Sequence, residues 1–148
     1  MVGVSLKTIS IVATAILIAC AVALLLRHSL FGAGLVSISL QIAGLLLVLW
    51  ARLTFGMRSF HFAANPTEGP LITSGPYRYI RNPIYAAVWL VSWTGIAVHW
   101  SLTNALLGLV ILAALIVKIF CEELLLRHKY PEYRNYAQRT SRLIPYLL

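Results

Sequence analysis

From Thr8 to Leu26 the chain carries no charged side chain, and the same holds for 28–51 and for 82–117. Such runs decide the solvent. A helix rises about 1.5 Å per residue, so roughly 20 apolar residues cross a hydrocarbon core about 30 Å thick. The third run is too long for one crossing. It is broken by the polar stretch His99-Trp100-Ser101-Leu102-Thr103-Asn104, which predicts a hairpin of two helices. Composition agrees: 60% of the 148 residues are hydrophobic and 11% are charged, against about 25% charged in a soluble domain. Lipid cannot satisfy open backbone groups, so the expected fold is all-α. The reading is a single integral membrane domain, 1–148, with four transmembrane helices at about 8–26, 34–51, 83–98 and 103–121, followed by a tail, 122–148.

Four spans place the N-terminus, the loop between the second and third spans, and the C-terminal tail on one side. That side holds Lys7, Arg52, Arg58, Arg78, Arg81, Lys118, Arg127, Lys129, Arg134, Arg139 and Arg142, leaving only Arg27 of the twelve basic residues on the other. Basic residues mark the cytoplasmic side, so both termini are expected there, in an arrangement typical of a prokaryotic inner membrane. The net charge of +8 then reports topology first and attraction to anionic headgroups second. Nucleic acid is an unfavoured partner, because the basic residues flank membrane spans. Oligomeric state is not legible.

Leu17-Ile18-Ala19-Cys20 has the form of a lipoprotein processing site, but the apolar run continues to Leu26 and another span follows. Cys20 and Cys121 read as small buried apolar residues. His28, His61, His99 and His128 show no metal-ligand spacing, so no metal site is expected. Gln41, an amide inside the second span, reads as an interhelical hydrogen bond.

Polar chemistry gathers in two segments on the basic side. One contains SGPYRYIRNPIY, Ser74 to Tyr85; the other runs from Lys118 into the tail. The helical hairpin between them would bring the two together. Asn82-Pro83 reads as an N-cap followed by proline in the first helical position, and the exposed N–H groups of such a start favour an anion. Glu122 and Glu123 are two of only four acids. They suit a cationic ligand, or equally an ion pair of Glu122 with Lys118 and of Glu123 with Arg127, each four residues apart. The leucines after them predict that the helix runs on to about Tyr130. Tyr77, Tyr79, Tyr85, Tyr130, Tyr133 and Tyr136 offer faces for a cation or form an interfacial aromatic belt. Tyr85, Trp89 and Trp93 make one stripe, either packed on another helix or lining a groove.

TSGPYRYIRNPIY followed by EELLLRHKYPEYRNYAQRTSRLIP resembles the isoprenylcysteine carboxyl methyltransferases and the related membrane phospholipid methyltransferases. The matching residues are Gly75, Tyr77, Arg81, Asn82, Pro83 and Tyr85, then Glu122, Glu123, Tyr130-Pro131, Tyr133, Tyr136, Arg139 and Pro145. The resemblance implies a helical membrane enzyme that binds S-adenosyl-L-methionine at the cytoplasmic face and methylates a lipophilic or prenylated substrate. It implies cofactor contacts from Gly69, Pro70, Leu71, Ile72, Tyr77, Asn82, Tyr85 and Glu122, with Glu123 the neighbouring alternative. It also implies that Lys118 meets a substrate carboxylate, and that Glu122 or Glu123 is the nearest base if the acceptor is an amine. Asn82 stands where eukaryotic members carry histidine, which weakens the case for a prenylcysteine acceptor. Two other readings are open. A sterol-type reductase using NADPH shares a related C-terminal region, although the Asn82-Pro83 step and the Glu122-Glu123 pair favour the methyltransferase. A non-enzymatic scaffold that binds anionic lipid is the other.

Overall fold

The computed structural model describes residues 2–56 and 69–144. Arg58, His61 and Pro145, named above, lie outside the described residues. The described chain forms five α-helices: α1 (Val2–Leu26), α2 (Leu35–Phe55), α3 (Pro83–Val98), α4 (Leu102–Lys129) and α5 (Tyr133–Arg139), with a 3₁₀ turn at Gly75–Arg78. The all-α expectation holds. Three of the helices, α1, α2 and α4, are long and apolar enough to cross a membrane. The fourth expected span, α3, has 16 residues, short of the roughly 20 that a full crossing takes.

The distribution of side chains is inverted relative to a soluble protein. Ser10, Ser37, Gln41, Ser92, Thr94 and Asn104 are buried, while Ile18, Leu35, Leu46, Leu53, Leu109 and Phe120 face outward. Small polar residues inside let helices approach and bond where no hydrophobic force operates. α1 packs along α4, α2 packs along α3, and the α3–α4 hairpin joins the two pairs. Cys20, Leu24, Ile96, Ile111 and Leu115 form the apolar centre. Tyr85, Trp89 and Trp93 pack against it, so the aromatic stripe faces the core. Cys20 and Cys121 are buried free thiols.

One end of the bundle, where α2 stops and α3 starts, is rich in basic side chains; we call it the basic end. At the opposite end polar bonds tie the connections together. Gln41 Nε2 donates to the carbonyls of Leu30 (2.9 Å) and Val91 (3.1 Å), which is the interhelical role expected of it. Ser101 caps α4 by accepting from Asn104 N–H. Arg27 Nε donates to Asn104 Oδ1 at 2.7 Å. α4 continues to Lys129 because Leu124, Leu125 and Leu126 are strong helix formers and Arg127, His128 and Lys129 suit its negative C-terminal end.

Candidate functional site

Adjacent residues on a helix point about 100° apart, and Glu122 and Glu123 use this to face different surroundings. Glu122 accepts a hydrogen bond from the Tyr85 hydroxyl of α3 and lies 3.8 Å from Lys118 Nζ, one turn away. Lys118 is 5% exposed. Its ammonium donates to Thr14 Oγ1 (2.9 Å) and Ser10 Oγ (3.1 Å) of α1, and stands 5.7 Å from the Tyr85 ring centre. The residue counted with the cytoplasmic charges therefore lies inside the bundle, within α4. A buried charge needs a partner and hydrogen bonds to be tolerable, and α1, α3 and α4 each supply some of them. Ser10 and Thr14 were missed in the sequence, where hydroxyls in an apolar helix are ordinary. The usable signal was their i, i+4 spacing on one face, with a lone lysine in another span.

Glu123 turns toward the tail. It is 3% exposed and pairs with Arg81 at 3.0 Å, Arg142 at 3.5 Å and Arg127 at 3.7 Å. Arg81 Nη1 also donates to the carbonyls of Ala137 (2.7 Å) and Thr140, so it caps the C-terminal end of α5. The segment before α3 and the segment after α5 then run side by side. Ile80 and Ser141 form a parallel bridge; Arg81 N–H donates to Ser141 O at 2.8 Å and Ser141 N–H to Tyr79 O at 3.1 Å. Two tyrosine hydroxyls complete the fastening: Tyr136 donates to Tyr77 O (2.7 Å) and Tyr130 to Gly69 O (2.9 Å).

Asn82 occupies the N-cap position of α3 but makes no side-chain cap. Its Nδ2 donates instead to Arg142 O at 3.2 Å, because the tail competes for the amide. Pro83 sits at the first helical position as expected. Gly75 has φ +57°, and any Cβ there would collide with Thr54 of α2, so glycine is required for the turn to lie against the bundle. That turn buries Tyr77, whose ring meets Phe55 at 5.6 Å between centres. Burial, with Glu122 adding to it and Arg52 opposing, pushes the Tyr77 hydroxyl up to about 12. Burial and then Glu123 likewise push Tyr133 to about 12, against Arg81, Arg127 and Arg142.

Both phenols thus hold their protons more tightly folded than unfolded, where the value is 10. The stability they contribute is complete below pH 10 and is lost as pH rises from 10 to 12. A loss of roughly 2–3 kcal/mol for each is expected over that window. Tyrosinate absorbance should show a late-titrating set of phenols that includes Tyr77, Tyr133 and Tyr136, all pushed up by burial, and Tyr133→Phe should remove one of them.

Among the described residues no group of three His, Cys, Asp or Glu side chains is placed to hold a metal. The residues singled out in the sequence fall into two sets. Tyr85, Glu122 and Lys118 meet directly; Tyr77 lies electrostatically close to Glu122. Asn82 and Glu123 belong to the fastening of the tail, Gly69 is tied to Tyr130, and Pro70 is exposed with Leu71 and Ile72 partly so.

The family model of phospholipid methyltransferases matches residues 33–133. The chain belongs to the phospholipid methyltransferase family. Membership implies a methyltransferase of lipid-like substrates and favours that reading over the reductase and the scaffold. No curated protein and no solved structure matches it. The match spans α2, α3 and α4, so both Glu122 and the Asn82-Pro83 start of α3 lie within it. α1, with Ser10 and Thr14, and the tail beyond Tyr133 flank it in this methyltransferase.

Proposed function

We propose that this methyltransferase uses S-adenosyl-L-methionine to methylate a lipophilic acceptor at its basic end, and that this end faces the cytoplasm. The observation that carries the reading is the meeting of Glu122, Tyr85 and Lys118 under a tail that fastens the loop of Tyr77. S-adenosyl-L-methionine supplies a methyl group on a sulfonium, together with a carboxylate and an adenine. The donor set suits those groups. Glu122 is a carboxylate close to two tyrosines, which favours a cation. The start of α3 lacks a side-chain cap, which favours an anion. Tyr77 and Tyr85 offer ring faces for a base.

The chain's own part is alignment and exclusion of water. Tyr85 and Lys118 orient Glu122; the tail covers the loop. If the acceptor is an amine, Glu122 is the nearest group to take its proton, since Glu123 is committed to three arginines. If it is a carboxylate, no base is needed and Lys118 is the counter-charge. An apolar cavity of about 180 Å³, lined by Leu17, Ala21, Val48, Val91 and Ile111 among others, gives a hydrocarbon tail room between the helices. With Lys118 set inside the bundle, ten basic residues of the sequence fall on that side against Arg27 on the other, which supports the cytoplasmic assignment.

Transfer of a labelled methyl group to prenylcysteine, phosphatidylethanolamine and a host lipid extract is the test. Label in a lipid-soluble product is expected. Folded protein that shows no heat of S-adenosyl-L-methionine binding in calorimetry would sink the reading.

A further inference from the structure

Three guanidinium groups, Arg81, Arg127 and Arg142, converge on the single carboxylate of Glu123. Arg81 is fully engaged, with Glu123 and two carbonyls of the tail. Arg127 and Arg142 are not. Among the described residues the one carboxylate each meets is Glu123, at the long distances of 3.7 and 3.5 Å, and Arg142 Nε is buried without a hydrogen-bond partner. Among the described residues one negative charge faces three positive ones, an excess of two positive charges.

The position of the two arginines is specific. Ile116, Phe120 and Leu124 recur every four residues on α4 and face outward, toward lipid if α4 spans the membrane. Arg127 stands at the end of that stripe, 55% exposed. Arg142 lies across it, its guanidinium 5.2 Å from the Phe120 ring centre. An apolar stripe that ends at two underused guanidiniums matches one molecule, a phospholipid whose acyl chain runs along α4 and whose phosphate meets the arginines. Guanidinium pairs with phosphate through paired hydrogen bonds, and the excess of two positive charges selects a lipid of net negative charge.

We propose that Arg127 and Arg142 form a binding site for an anionic phospholipid on the outer face of α4. This lipid is distinct from the one methylated, because Glu122, Tyr85 and Lys118 face the interior between α1, α3 and α4. The site is coupled to the loop through the main chain. The Arg142 carbonyl accepts both the N–H and the Nδ2 of Asn82, each at 3.2 Å. A phosphate that holds the Arg142 side chain therefore holds the segment that fastens the start of α3. S-adenosyl-L-methionine should bind more tightly in an anionic bilayer; this consequence, unlike the lipid site itself, rests on the function proposed above.

The test has two arms. In the first, native mass spectrometry follows phosphatidylglycerol and phosphatidylcholine retained by the full chain released from mixed micelles. One tightly held phosphatidylglycerol is expected. Arg127→Gln with Arg142→Gln should weaken it about 25-fold, about fivefold for each arginine, while Arg134→Gln, at an exposed position of α5, should not. Equal retention of the two lipids, or no change in the double variant, would overturn the site. Arg127→Gln alone leaves the tail segment intact and guards against misfolding of the double variant. In the second arm, S-adenosyl-L-methionine affinity is measured in nanodiscs of either lipid. Tighter binding in phosphatidylglycerol for the wild type, lost in Arg142→Gln, supports the coupling. Lipid-independent affinity overturns the coupling. Absence of cofactor binding in both lipids counts against the proposed function and leaves the first arm to decide the site.

Discussion

Glu122→Gln is expected to weaken S-adenosyl-L-methionine binding by about 100-fold or more, and methyl transfer with it. Two effects add. A hydrogen bond to a charged group contributes roughly 1.5–3 kcal/mol, and the amide cannot attract a sulfonium as the carboxylate does. Lys118, 3.8 Å away and 5% exposed, also loses its counter-charge, and an uncompensated buried charge costs about 3–5 kcal/mol. The two effects can be separated. Lys118→Met combined with Glu122→Gln removes the orphaned ammonium and should restore thermal stability, yet leave binding weak. A double variant that binds as tightly as the wild type would show that Glu122 matters only as the partner of Lys118. Calorimetry and thermal unfolding in the same detergent read both quantities.

Glu123→Gln should act differently, although the residue is the immediate neighbour. Its carboxylate gathers Arg81, Arg127 and Arg142. Removing the charge leaves guanidiniums crowded together, at a cost of about 3–5 kcal/mol. The tail is the element that yields, since Arg81 also holds the end of α5. Amide hydrogen exchange should accelerate at Arg81, Asn82 and Ser141, the donors of the parallel pairing, while α1 and the middle of α4 stay protected. Under Glu122→Gln the same amides should keep their protection. Equal exchange at those amides in both variants would remove the division of labour between the two carboxylates.

That division could not be read along the chain. The sequence presents Glu122 and Glu123 as alternatives for one role. Only the helical rotation between them, set against the positions of Tyr85 and Arg81, gives each its own. What was legible followed from short-range physics. The start of α3 at Pro83 comes from Asn-Pro chemistry, the continuation of α4 past the glutamates from three leucines and a basic last turn, and the i, i+4 pairs from helical spacing. What was not legible depends on distant parts of the chain. Asn82 was read as a cap from its type and position; its amide goes to Arg142, sixty residues later. Lys118 was counted as a surface charge because a lysine after an apolar run usually is one. Ser10 and Thr14, more than a hundred residues before it, make a buried lysine tolerable.

The pairing of Ile80 with Ser141 also orders events in the making of the protein. A ribosome delivers the chain from the N-terminus, so α1 to α4 are in place before Ser141 and Arg142 emerge. Until they do, the loop of Tyr77 lacks its cover and Arg81 lacks the carbonyls that hold it. A chain that lacks Ser141 and Arg142 can therefore bring Glu122, Tyr85 and Lys118 together but cannot make the pairing that fastens the segment before α3. A chain interrupted before Ser141 is expected to keep the contacts of α1 with α4 and of α2 with α3, and to lose the fastening of the Tyr77 loop.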